Sequence, residues 1–511
     1  MAHVDPTRYH VDSTTPPLRE KEESFHELMA DQLRHAPWLM LSIVIHALIL
    51  VFVMLIPRTR QTETERVVQL APPERIEDIP EEEEPQEVPE PEATEPVLQD
   101  PEITDPVTDE VTESFGDFSE TAMTESAFNS DAWNAAVGLG GGAGGPKYSG
   151  RGSGRGRLGR TGTVVTLERA LNWLKDHQDE DGKWDADDFM KHDEDGVPCD
   201  GPGDPLHDVG VTGLALLAFL GDGSTLKSGP YKDVIKNGVM WLRSQQDPDT
   251  GLIGTEASHH FIYDHVIATL ALCEAYGLSK YRSLKPVAQK AINYLESHRN
   301  PYGCWRYQKQ SGDNDMSVTG WAILAYISAK EFGLDIDKKA LEYADSYIDE
   351  MTDAQGRTGY SEKGGRSSRH KGQHEIDFPA DRTECMTAVG LLCKYFLGHE
   401  PKKAPIMDNM AKILMKSMPR WETDSKGSWI DHYYWYYGTY AMYQYGGTNW
   451  DQWSKAVNKA VIEKQRTDGN FKGSWDPVGA WGADGGRVYS TAILVLTLEA
   501  YYRYSRVLGG R

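Results

Sequence analysis

The sequence predicts an all-α protein in which the C-terminal two thirds forms a closed ring of helical hairpins. From Thr166 onward, segments that are apolar on every side alternate with segments that carry a single apolar stripe. A helix that is apolar all round must be buried, whereas a helix with one stripe lies outside it. Gly221, Gly277 and Gly333, which close three of the apolar segments, are each 56 residues apart. A repeat of this length is typical of stacked helix pairs.

The repeat occurs six times. Apolar segments such as "GVTGLALLAFLG" and "VTGWAILAYISAKEFG" follow amphipathic ones. The first amphipathic segment shows the i, i+3, i+4, i+7 spacing of one buried stripe at Leu167, Ala170, Leu171 and Leu174. Glycine suits the left-handed turn that ends a helix. Six hairpins are enough to close a double ring, so we expect an (α/α)6 toroid over residues 166–505, with the inner helices around a central cavity.

The charge of the chain is concentrated in one stretch. The 511 residues include 53 basic and 78 acidic ones, a net charge of -25. Residues 61–131 alone hold 23 Asp or Glu against Arg66 and Arg75. Such a segment, rich in Pro and Glu, is typical of a solvated, extended spacer. The remainder is nearly neutral, which excludes a broad basic face, and we expect no nucleic-acid partner. The five cysteines are too few and too scattered for a disulfide scaffold.

An apolar run near the N-terminus predicts one transmembrane helix. Trp38 to Ile56 contains no Asp, Glu, Lys or Arg and spans nearly 30 Å at about 1.5 Å per residue. A cleaved signal peptide fits less well, because the run starts late and no small-residue cleavage site follows it. The predicted organisation is an N-terminal segment (1–37), the anchor (38–56), a disordered linker that is first Glu/Pro-rich and then Gly/Arg-rich (57–165), and the toroid. Basic residues on both sides nearly balance, so the positive-inside rule leaves the orientation open.

Ser42 and His46 lie on one face of the predicted anchor, because they are four residues apart. A histidine inside a membrane is costly and usually faces protein or a proton path. The segment "PWLMLSIVIHALIL" resembles the anchor of TonB-type energy transducers. The resemblance implies that Ser42 and His46 contact an inner-membrane proton-channel complex. It also implies a single-pass inner-membrane protein with a cytoplasmic N-terminus and a periplasmic toroid. Nothing at the C-terminus resembles the receptor-binding domain of those transducers.

A second resemblance covers the repeat region, residues 166–505. "ALNWLKDHQDEDGKW" resembles the Gln-Trp repeat of squalene cyclases. "YDHVIATLALCEAYG" and "DNDMSVTGWAILAYISA" are similar to inner helices of the squalene cyclase and protein prenyltransferase superfamily. The resemblance implies the α/α toroid fold, and no particular activity.

Polar residues cluster where the predicted inner helices begin. If all inner helices run the same way, these residues gather at one mouth of the cavity and form a binding site for an apolar or polymeric ligand. The alternative is helix capping, since an acidic residue at a helix start satisfies free N–H groups and suits the dipole. The candidate binding residues are His207, Asp208, Asp264, His265, Asp315, Glu384, Asp431 and Arg487.

The segment Asp185-Ala186-Asp187-Asp188 matches the Asp-x-Asp-Asp motif of class II terpenoid cyclases by letter. The resemblance implies that Asp185, Asp187 and Asp188 supply the acid that protonates an alkene. However, the segment follows the first outer helix, whereas the family places its motif on the cavity wall. Because the surrounding loop is crowded with aspartate, a chance match and a hard cation such as calcium are alternatives.

The resemblance to protein prenyltransferases implies a zinc site. In that family Asp, Cys and His ligands come from neighbouring inner helices, and the counterparts here are Cys385 and His432, with Asp381 or Glu384 as the carboxylate. These ligand types suit zinc with one open position. The family's Asp-x-Cys spacing is absent, so an inert, buried Cys385 is the alternative.

Three functions are compatible with the sequence. The first is a binding or energy-coupled module on a long tether, the second an isoprenoid-transforming enzyme of the cyclase or prenyltransferase type, and the third a structural envelope protein whose interior is filled by side chains.

The long loop Thr352–Asp381 is a candidate lid or partner contact beside the mouth.

Overall fold

The computed structural model describes residues 162–503, which form a ring of helical hairpins. The helices are α1 (Gly162–Asp176), α2 (Asp208–Gly221), α3 (Lys232–Ser244), α4 (Phe261–Ser279), α5 (Lys285–His298), α6 (Met316–Glu331), α7 (Lys338–Met351), α8 (Gln373–Asp377), α9 (Cys385–Phe396), α10 (Ile406–Lys416), α11 (His432–Tyr445), α12 (Gly447–Ile462), α13 (Gly482–Leu498) and α14 (Ala500–Arg503). A short hairpin pairs β1 (Thr423–Asp424) with β2 (Gly427–Ser428). The 3-10 helices are Phe189–His192, Pro205–His207, Arg282–Leu284, Ala380–Arg382 and Gly469–Phe471.

The helices form two concentric layers. In the outer layer α1, α3, α5, α7, α10 and α12 each bury one stripe; in α3 this stripe is Ile235, Gly238, Val239 and Leu242. The inner helices α2, α4, α6, α9, α11 and α13 are buried on almost every side. The difference follows from the sequence, because only the outer helices carry a polar face that water can solvate.

The ring is closed. Each inner helix packs against the next in the order α2, α4, α6, α9, α11 and α13, and α13 packs in turn against α2. The outer layer closes as well, since α12 and α13 both contact α1. The prediction of an all-α toroid of six hairpins is therefore confirmed for the part of the chain that the structure describes.

Tryptophans in the loops after the outer helices fix the hairpins. Their indole N–H groups donate to carbonyls at the end of the outer helix: Trp184 to Leu174 (2.6 Å), Trp305 to Leu295 (2.9 Å) and Trp475 to Val461 (2.8 Å). Their backbone N–H groups donate to threonine hydroxyls of the following inner helix: Trp184 to Thr212 (2.9 Å), Trp305 to Thr319 (3.4 Å) and Trp475 to Thr491 (3.4 Å). Each tryptophan thus satisfies a helix-end carbonyl while its ring fills the space between the layers.

Glutamines link one hairpin to the next. Their side-chain amides donate to a carbonyl in the first turns of the neighbouring outer helix: Gln178 to Val234 (3.0 Å), Gln246 to Val287 (3.0 Å) and Gln465 to Thr166 (2.8 Å). The third bond joins the last outer helix to the first. The same side-chain contact that relates neighbouring repeats therefore also closes the ring.

The glycines that end the apolar segments serve two purposes. Gly333, Gly398 and Gly446 have φ of 76°, 90° and 75°, the left-handed conformation that stops a helix. Gly221 and Gly277 lie within helices instead, so the predicted terminator role is wrong for them. A Cβ on Gly277 would lie 1.8 Å from the Phe332 ring, so this position requires glycine because a side chain packs against its backbone.

The predicted anchor Trp38–Ile56 and residues 57–161 of the predicted linker lie outside the described residues, whereas residues 162–165, predicted as linker, belong to α1. Within residues 162–503, none of the helices combines the length and the apolar character that crossing a membrane requires.

The closing glutamine gives a test of this architecture. We expect Gln465→Ala to lower the free energy of unfolding by about 1–3 kcal/mol, because the carbonyls of Thr166 and Gly473 lose a buried donor. Urea unfolding of the full-length chain, followed by tryptophan fluorescence, measures the change. Gln245→Ala is the matched control, since Gln245 donates only to the neighbouring Ser244 hydroxyl at the surface; equal effects of the two substitutions would contradict the role of Gln465.

Candidate functional site

A cavity of about 470 Å³ opens where the inner helices begin. This volume lies within the range of small-molecule sites. The starts of α2, α4, α6, α11 and α13 contribute to its wall, together with two loops. The lining residues are His207, Gly210, Val211, Leu214, His259, His260, Tyr263, Asp264, Ile267, Tyr307, Ser317, Trp321, Ser368, Arg369, His370, Lys371, Tyr433, Trp481, Asp484, Gly485, Tyr489 and Ile493.

Aromatic rings form much of the wall. Trp321 lies nearly parallel to Tyr433, with ring centroids 6.2 Å apart, and Tyr263 lies 6.0 Å from Tyr307. Burial raises the pKa values of Tyr263, Tyr433 and Tyr489 well above the ordinary range, so these phenols are neutral. Neutral rings present a negative π face, which favours an apolar or cationic ligand over an anionic one.

The rim of the cavity is polar. His207 Nδ1 lies 3.0 Å from Asp264 Oδ2. Burial opposes the charged form of His207, but the hydrogen bond and charge of Asp264 outweigh it and raise its pKa. Across the mouth, His370 Nε2 lies 3.6 Å from Asp484 Oδ2. Burial and the neighbouring His259 and His370 lower the pKa of His260. The rim therefore combines two His–Asp pairs with the imidazole of His260, whose lowered pKa favours its neutral form.

The long loop before α9 covers part of the mouth. Its Arg369 donates to Asp431 Oδ2 (2.7 Å) and to the carbonyl of Phe378 (3.0 Å), and its guanidinium faces the Trp481 ring. His374 Nε2 lies 2.6 Å from the carbonyl oxygen of Ala480. Because Arg369 and Asp431 are both only 4% exposed, this ion pair is desolvated and holds the loop in one position. The loop predicted to act as a lid does reach the cavity.

Asp315 is the most unusual acidic group of the site. It is fully buried at the start of α6, and its Oδ1 caps the helix by accepting from the Val318 N–H (2.8 Å). Its Oδ2 has no hydrogen-bond partner. Burial raises the pKa of Asp315 to about 7, so a large fraction of these carboxyls is protonated at neutral pH. A buried, protonated carboxyl next to a cavity is a typical arrangement for a general acid.

Two tyrosines connect Asp315 to the cavity. Tyr307 lines the cavity, and its hydroxyl lies 2.5 Å from the hydroxyl of Tyr360. The backbone of Tyr360 accepts from the N–H of Met316, the residue after Asp315 (3.0 Å). Burial and the nearby Asp315 carboxyl raise the pKa values of both phenols. The pair therefore forms a hydrogen-bonded bridge between the cavity and the neighbourhood of the acid.

Several residues predicted to bind a ligand do not line the cavity. The Asp208 carboxylate accepts from Lys183 Nζ (2.7 Å), and Glu384 is held by Arg357 (2.9 Å) and Arg366 (3.2 Å). These carboxylates turn toward basic side chains of the loops instead.

His265 and Arg487 also turn away from the mouth. The His265 ring accepts from the Ile253 N–H (3.0 Å) and donates to the Ala291 carbonyl (3.1 Å), which places it between the layers, where burial lowers its pKa to about 3. Arg487 is fully buried and binds Asp200 and Asp476 near the seam of the ring. Of the eight predicted residues, His207 and Asp264 line the cavity, while Asp315 and Asp431 act from behind its wall.

The Asp-x-Asp-Asp match at Asp185, Asp187 and Asp188 lies in the loop after α1, away from the cavity. Asp185 Oδ1 accepts from the N–H groups of Asp187 (3.2 Å) and Asp188 (2.9 Å), and its Oδ2 pairs with Lys183 (2.8 Å). Burial works against the charge of Asp185, but these bonds lower its pKa below the ordinary range. The Asp185 carboxylate is thus held in its ionised form, whereas burial and the neighbouring Asp185 raise the pKa of Asp187. Because these residues do not line the cavity, the structure supports a loop-stabilising role.

The zinc ligands implied by the prenyltransferase resemblance do not converge. Cys385 and His432 are buried, whereas Asp381 is exposed, and the three are not among the described groups whose ligand atoms lie within 4.8 Å of one another. Burial raises the pKa of Cys385 well above its ordinary value and lowers that of His432 to about 4. These residues do not fit a zinc ion in the observed arrangement, and a buried, inert thiol describes Cys385 better.

Other residues of the site have no signal in the sequence. Tyr307, Tyr360 and Trp481 belong to irregular segments, and no periodicity marks them. They come together because three loops end at the same face of the ring.

The chain resembles known proteins in part. No protein-family model matches it. It is 26% identical over 201 residues to a squalene–hopene cyclase of Bradyrhizobium diazoefficiens; the match covers 36% of this chain and 29% of that protein, so this chain spans less than a third of its relative's length. The sequence match supports the predicted resemblance to squalene cyclases for the repeat fold.

Solved structures with a related arrangement of helices include the type II terpene cyclase MstE from Scytonema, which is 14% identical with a TM-score of 0.41 over 66% of this chain and 97% of that one. An α-1,6-mannanase, GH76A of Salegentibacter, is 11% identical with a TM-score of 0.44 over 66% and 98% of the two chains.

The raised pKa of Asp315 predicts a specific pH dependence of stability. The unfolded carboxyl has a pKa near 3.8 and the folded one near 7. Between these values the folded state binds more protons, so the contribution of Asp315 is fully present below pH 3.8 and is lost as the pH rises through 7. We expect Asp315→Asn, which keeps the helix cap, to remove a decline of up to about 4 kcal/mol across this window.

Urea unfolding at a series of pH values measures this decline. Asp313→Asn is the control, because Asp313 is 56% exposed and paired with Arg306. Its pH profile should match that of the natural chain. Parallel profiles for the natural chain and Asp315→Asn would show that Asp315 has an ordinary pKa.

Proposed function

We propose that the toroid binds an isoprenoid in its aromatic cavity and transfers a proton to it from Asp315. The observation that carries this proposal is the buried, unpaired carboxyl oxygen of Asp315, with a pKa of about 7, behind an aromatic wall. An alkene has no group that ionises or binds a metal, so its activation needs a carboxylic acid that keeps its proton at the working pH.

The proton can reach the cavity through the two tyrosines. The relay requires a movement that brings Asp315 Oδ2, which has no hydrogen-bond partner in the structure, to the Tyr360 hydroxyl. The Asp315 proton then passes to Tyr360, the Tyr360 proton passes to Tyr307, and the Tyr307 proton adds to an alkene carbon. The π electrons form the new C–H bond, a carbocation forms on the neighbouring carbon, and Asp315 is left as a carboxylate. The aromatic faces of Trp321 and Tyr433 stabilise the cation. Loss of a proton from the product cation returns the acid to its starting state.

Sequence similarity supports isoprenoids as the substrate class. The relative described above is a squalene–hopene cyclase. Asp313-Asn314-Asp315 at the start of α6 also provides the first and third positions of the Asp-x-Asp-Asp motif, with Met316 in the fourth place. This copy lies beside the cavity, whereas the copy at residues 185–188 does not. The departure at Met316 leaves Asp315 without the second carboxyl of that motif.

A ligand-binding role without chemistry is the second candidate. The cavity and its anchored loop would support it equally, and the pKa of Asp315 distinguishes the two, because simple binding of an apolar ligand gives no use for a buried acid. A purely structural role predicts an interior filled by side chains, and a cavity of about 470 Å³ argues against it.

We also propose that the chain is anchored in the inner membrane by residues 38–56, with the toroid in the periplasm and Ser42 and His46 on a proton-driven motor. This proposal rests on the sequence "PWLMLSIVIHALIL" and on the long acidic linker that follows it. A toroid on such a linker would receive its ligand at or beyond the membrane surface. Force from the motor would act on the position or opening of the toroid and not on the reaction itself.

Activity assays test the role of Asp315. The full-length chain is incubated with squalene and, separately, with geranylgeranyl diphosphate, and the products are identified by mass spectrometry. We expect a cyclised isomer of the substrate, and Asp315→Asn should reduce the rate of its formation by about 10²–10⁴-fold while ligand binding persists. Asp187→Asn is the matched control and should keep full activity. Binding without product in the natural chain would favour the simple binding role. Inactivity of Asp187→Asn would indicate that the Asp-x-Asp-Asp match at residues 185–188 supplies the acid instead of Asp315.

Co-purification tests the motor contact. Substituting Ser42→Ala together with His46→Ala should abolish recovery of an inner-membrane proton-channel complex with the tagged chain, because both side chains lie on the proposed contact face. Val44→Ala combined with Leu48→Ala keeps both proposed contact residues and changes the opposite face of the predicted helix, so it serves as the matched control. Undiminished recovery with the double alanine variant would show that the motor is not bound through this face.

A further inference from the structure

A second cluster of reactive side chains lies far from the aromatic cavity, in the loop that follows α1. His177, Asp193 and Cys199 place an imidazole nitrogen, a carboxylate oxygen and a thiol sulfur within 4.8 Å of one another. Their side chains are almost completely buried. These are three of the ligand types that zinc prefers, and they come together in a loop with no other catalytic feature.

The orientation of His177 points to a cation. Its Nδ1 donates to the Trp173 carbonyl (2.8 Å), which leaves Nε2 facing Asp193 Oδ1 at 3.1 Å. In a neutral ring this nitrogen presents a lone pair to a carboxylate oxygen, which is repulsive. Either a proton or a metal ion on Nε2 removes the repulsion. A backbone carbonyl that orients the second ring nitrogen is the usual support of a metal-bound histidine.

The surroundings keep water away from the three ligands. The Trp173 ring stacks on His177 with centroids 4.1 Å apart, and Phe189 packs against both rings at 5.7 Å and 6.0 Å. Asp193 Oδ2 accepts from the backbone N–H of Cys199 (2.5 Å), which brings the sulfur to the carboxylate. Burial and Asp193 raise the pKa of the Cys199 thiol to about 12, so the thiol needs a bound cation to become a ligand.

We propose that His177, Asp193 and Cys199 bind a structural zinc ion. His177 contributes Nε2, Asp193 Oδ1 and Cys199 its thiolate, which fills three of the four positions of a tetrahedral site. In such a site the ligand atoms lie about 3.3–3.8 Å apart, so only small movements are needed from the observed positions. On binding, the thiol proton is released to solvent, and metal affinity therefore falls as the pH is lowered.

The position of the cluster explains what such an ion stabilises. Cys199 precedes Asp200, whose carboxylate and carbonyl bind Arg487 of α13. Asn470, in the last repeat, donates to the carbonyls of Glu194 (2.9 Å) and Val197 (3.1 Å). The loop therefore joins the first hairpin to the last, and a metal within it would fix the seam of the ring.

The other described group of convergent ligands is already neutralised. Asp185, Asp187 and Asp208 also approach one another, but Lys183 lies 2.8 Å from Asp185 and 2.7 Å from Asp208. An ammonium group occupies the place a metal would take. Among the ion pairs of the described residues, Asp193 pairs with His177 and with no lysine or arginine, and Arg487 acts on Cys199 only through its charge.

Metal analysis of the full-length chain tests the proposal. We expect one zinc ion per chain after purification without chelator, and loss of that zinc in Cys199→Ser. Cys304→Ser is the matched control, because Cys304 is an equally buried thiol in the corresponding loop of the third hairpin and belongs to no such group. It should retain one zinc ion. Zinc bound equally by both variants would overturn the assignment.

A measurement on the natural chain avoids dependence on folding of the variants. After removal of zinc, titration with Co²⁺ should produce a thiolate-to-cobalt charge-transfer band that saturates at one ion per chain. Chelation should also lower the Tm by about 2–5 °C, because a ligand bound only to the folded state stabilises it. A chain that purifies without metal and gives no cobalt band contains only a His177–Asp193 ion pair, and the proposal is then wrong.

Discussion

The toroid depends on hydrogen bonds from loop side chains to backbone carbonyls at the two ends of its outer helices. At the C-terminal end a buried carbonyl without an intrahelical partner cannot bind water and would cost free energy without a donor. Trp184, Trp305 and Trp475 supply the donor at one end, and Gln178, Gln246 and Gln465 reach the start of the next outer helix. Because each link fixes one repeat against its neighbour, the ring can hold its shape with a cavity at its centre.

The fold could be predicted because its signal is local. Eight consecutive residues, such as Leu167 to Leu174, are enough to show whether a helix is apolar all round or on one stripe, and burial in the inner or outer layer follows directly. Contacts across the seam are not local. Arg503, which pairs with Glu274 (2.7 Å) at the far end of the ring from the mouth, lies in the last described helix and belongs to no repeat. Nothing in its sequence context distinguishes it from an exposed arginine.

The candidate site could be predicted only in outline, because its acidic residues occupy equivalent places and differ in their partners. Asp208, Asp315 and Asp431 all stand at the start of an inner helix. Lys183 neutralises Asp208 and Arg369 neutralises Asp431. Both bases come from irregular loops whose paths no periodicity reveals. Burial raises the pKa of Asp208 as well, but Lys183 counteracts this effect, whereas Asp315 has no such ion pair among the described residues and its pKa rises to about 7.

Water exclusion connects the loop, the acid and the aromatic wall. The Arg369–Asp431 pair fixes the loop over the mouth, and its desolvation is tolerated because the charges neutralise each other. The exclusion of water also keeps Asp315 protonated, since a carboxylate in contact with water would regain its ordinary pKa. The same exclusion would protect a carbocation in the cavity from attack by water. Opening the loop would therefore expose the acid and the wall to water together, and the chemistry proposed for Asp315 depends on an ion pair that takes no part in the proton transfer.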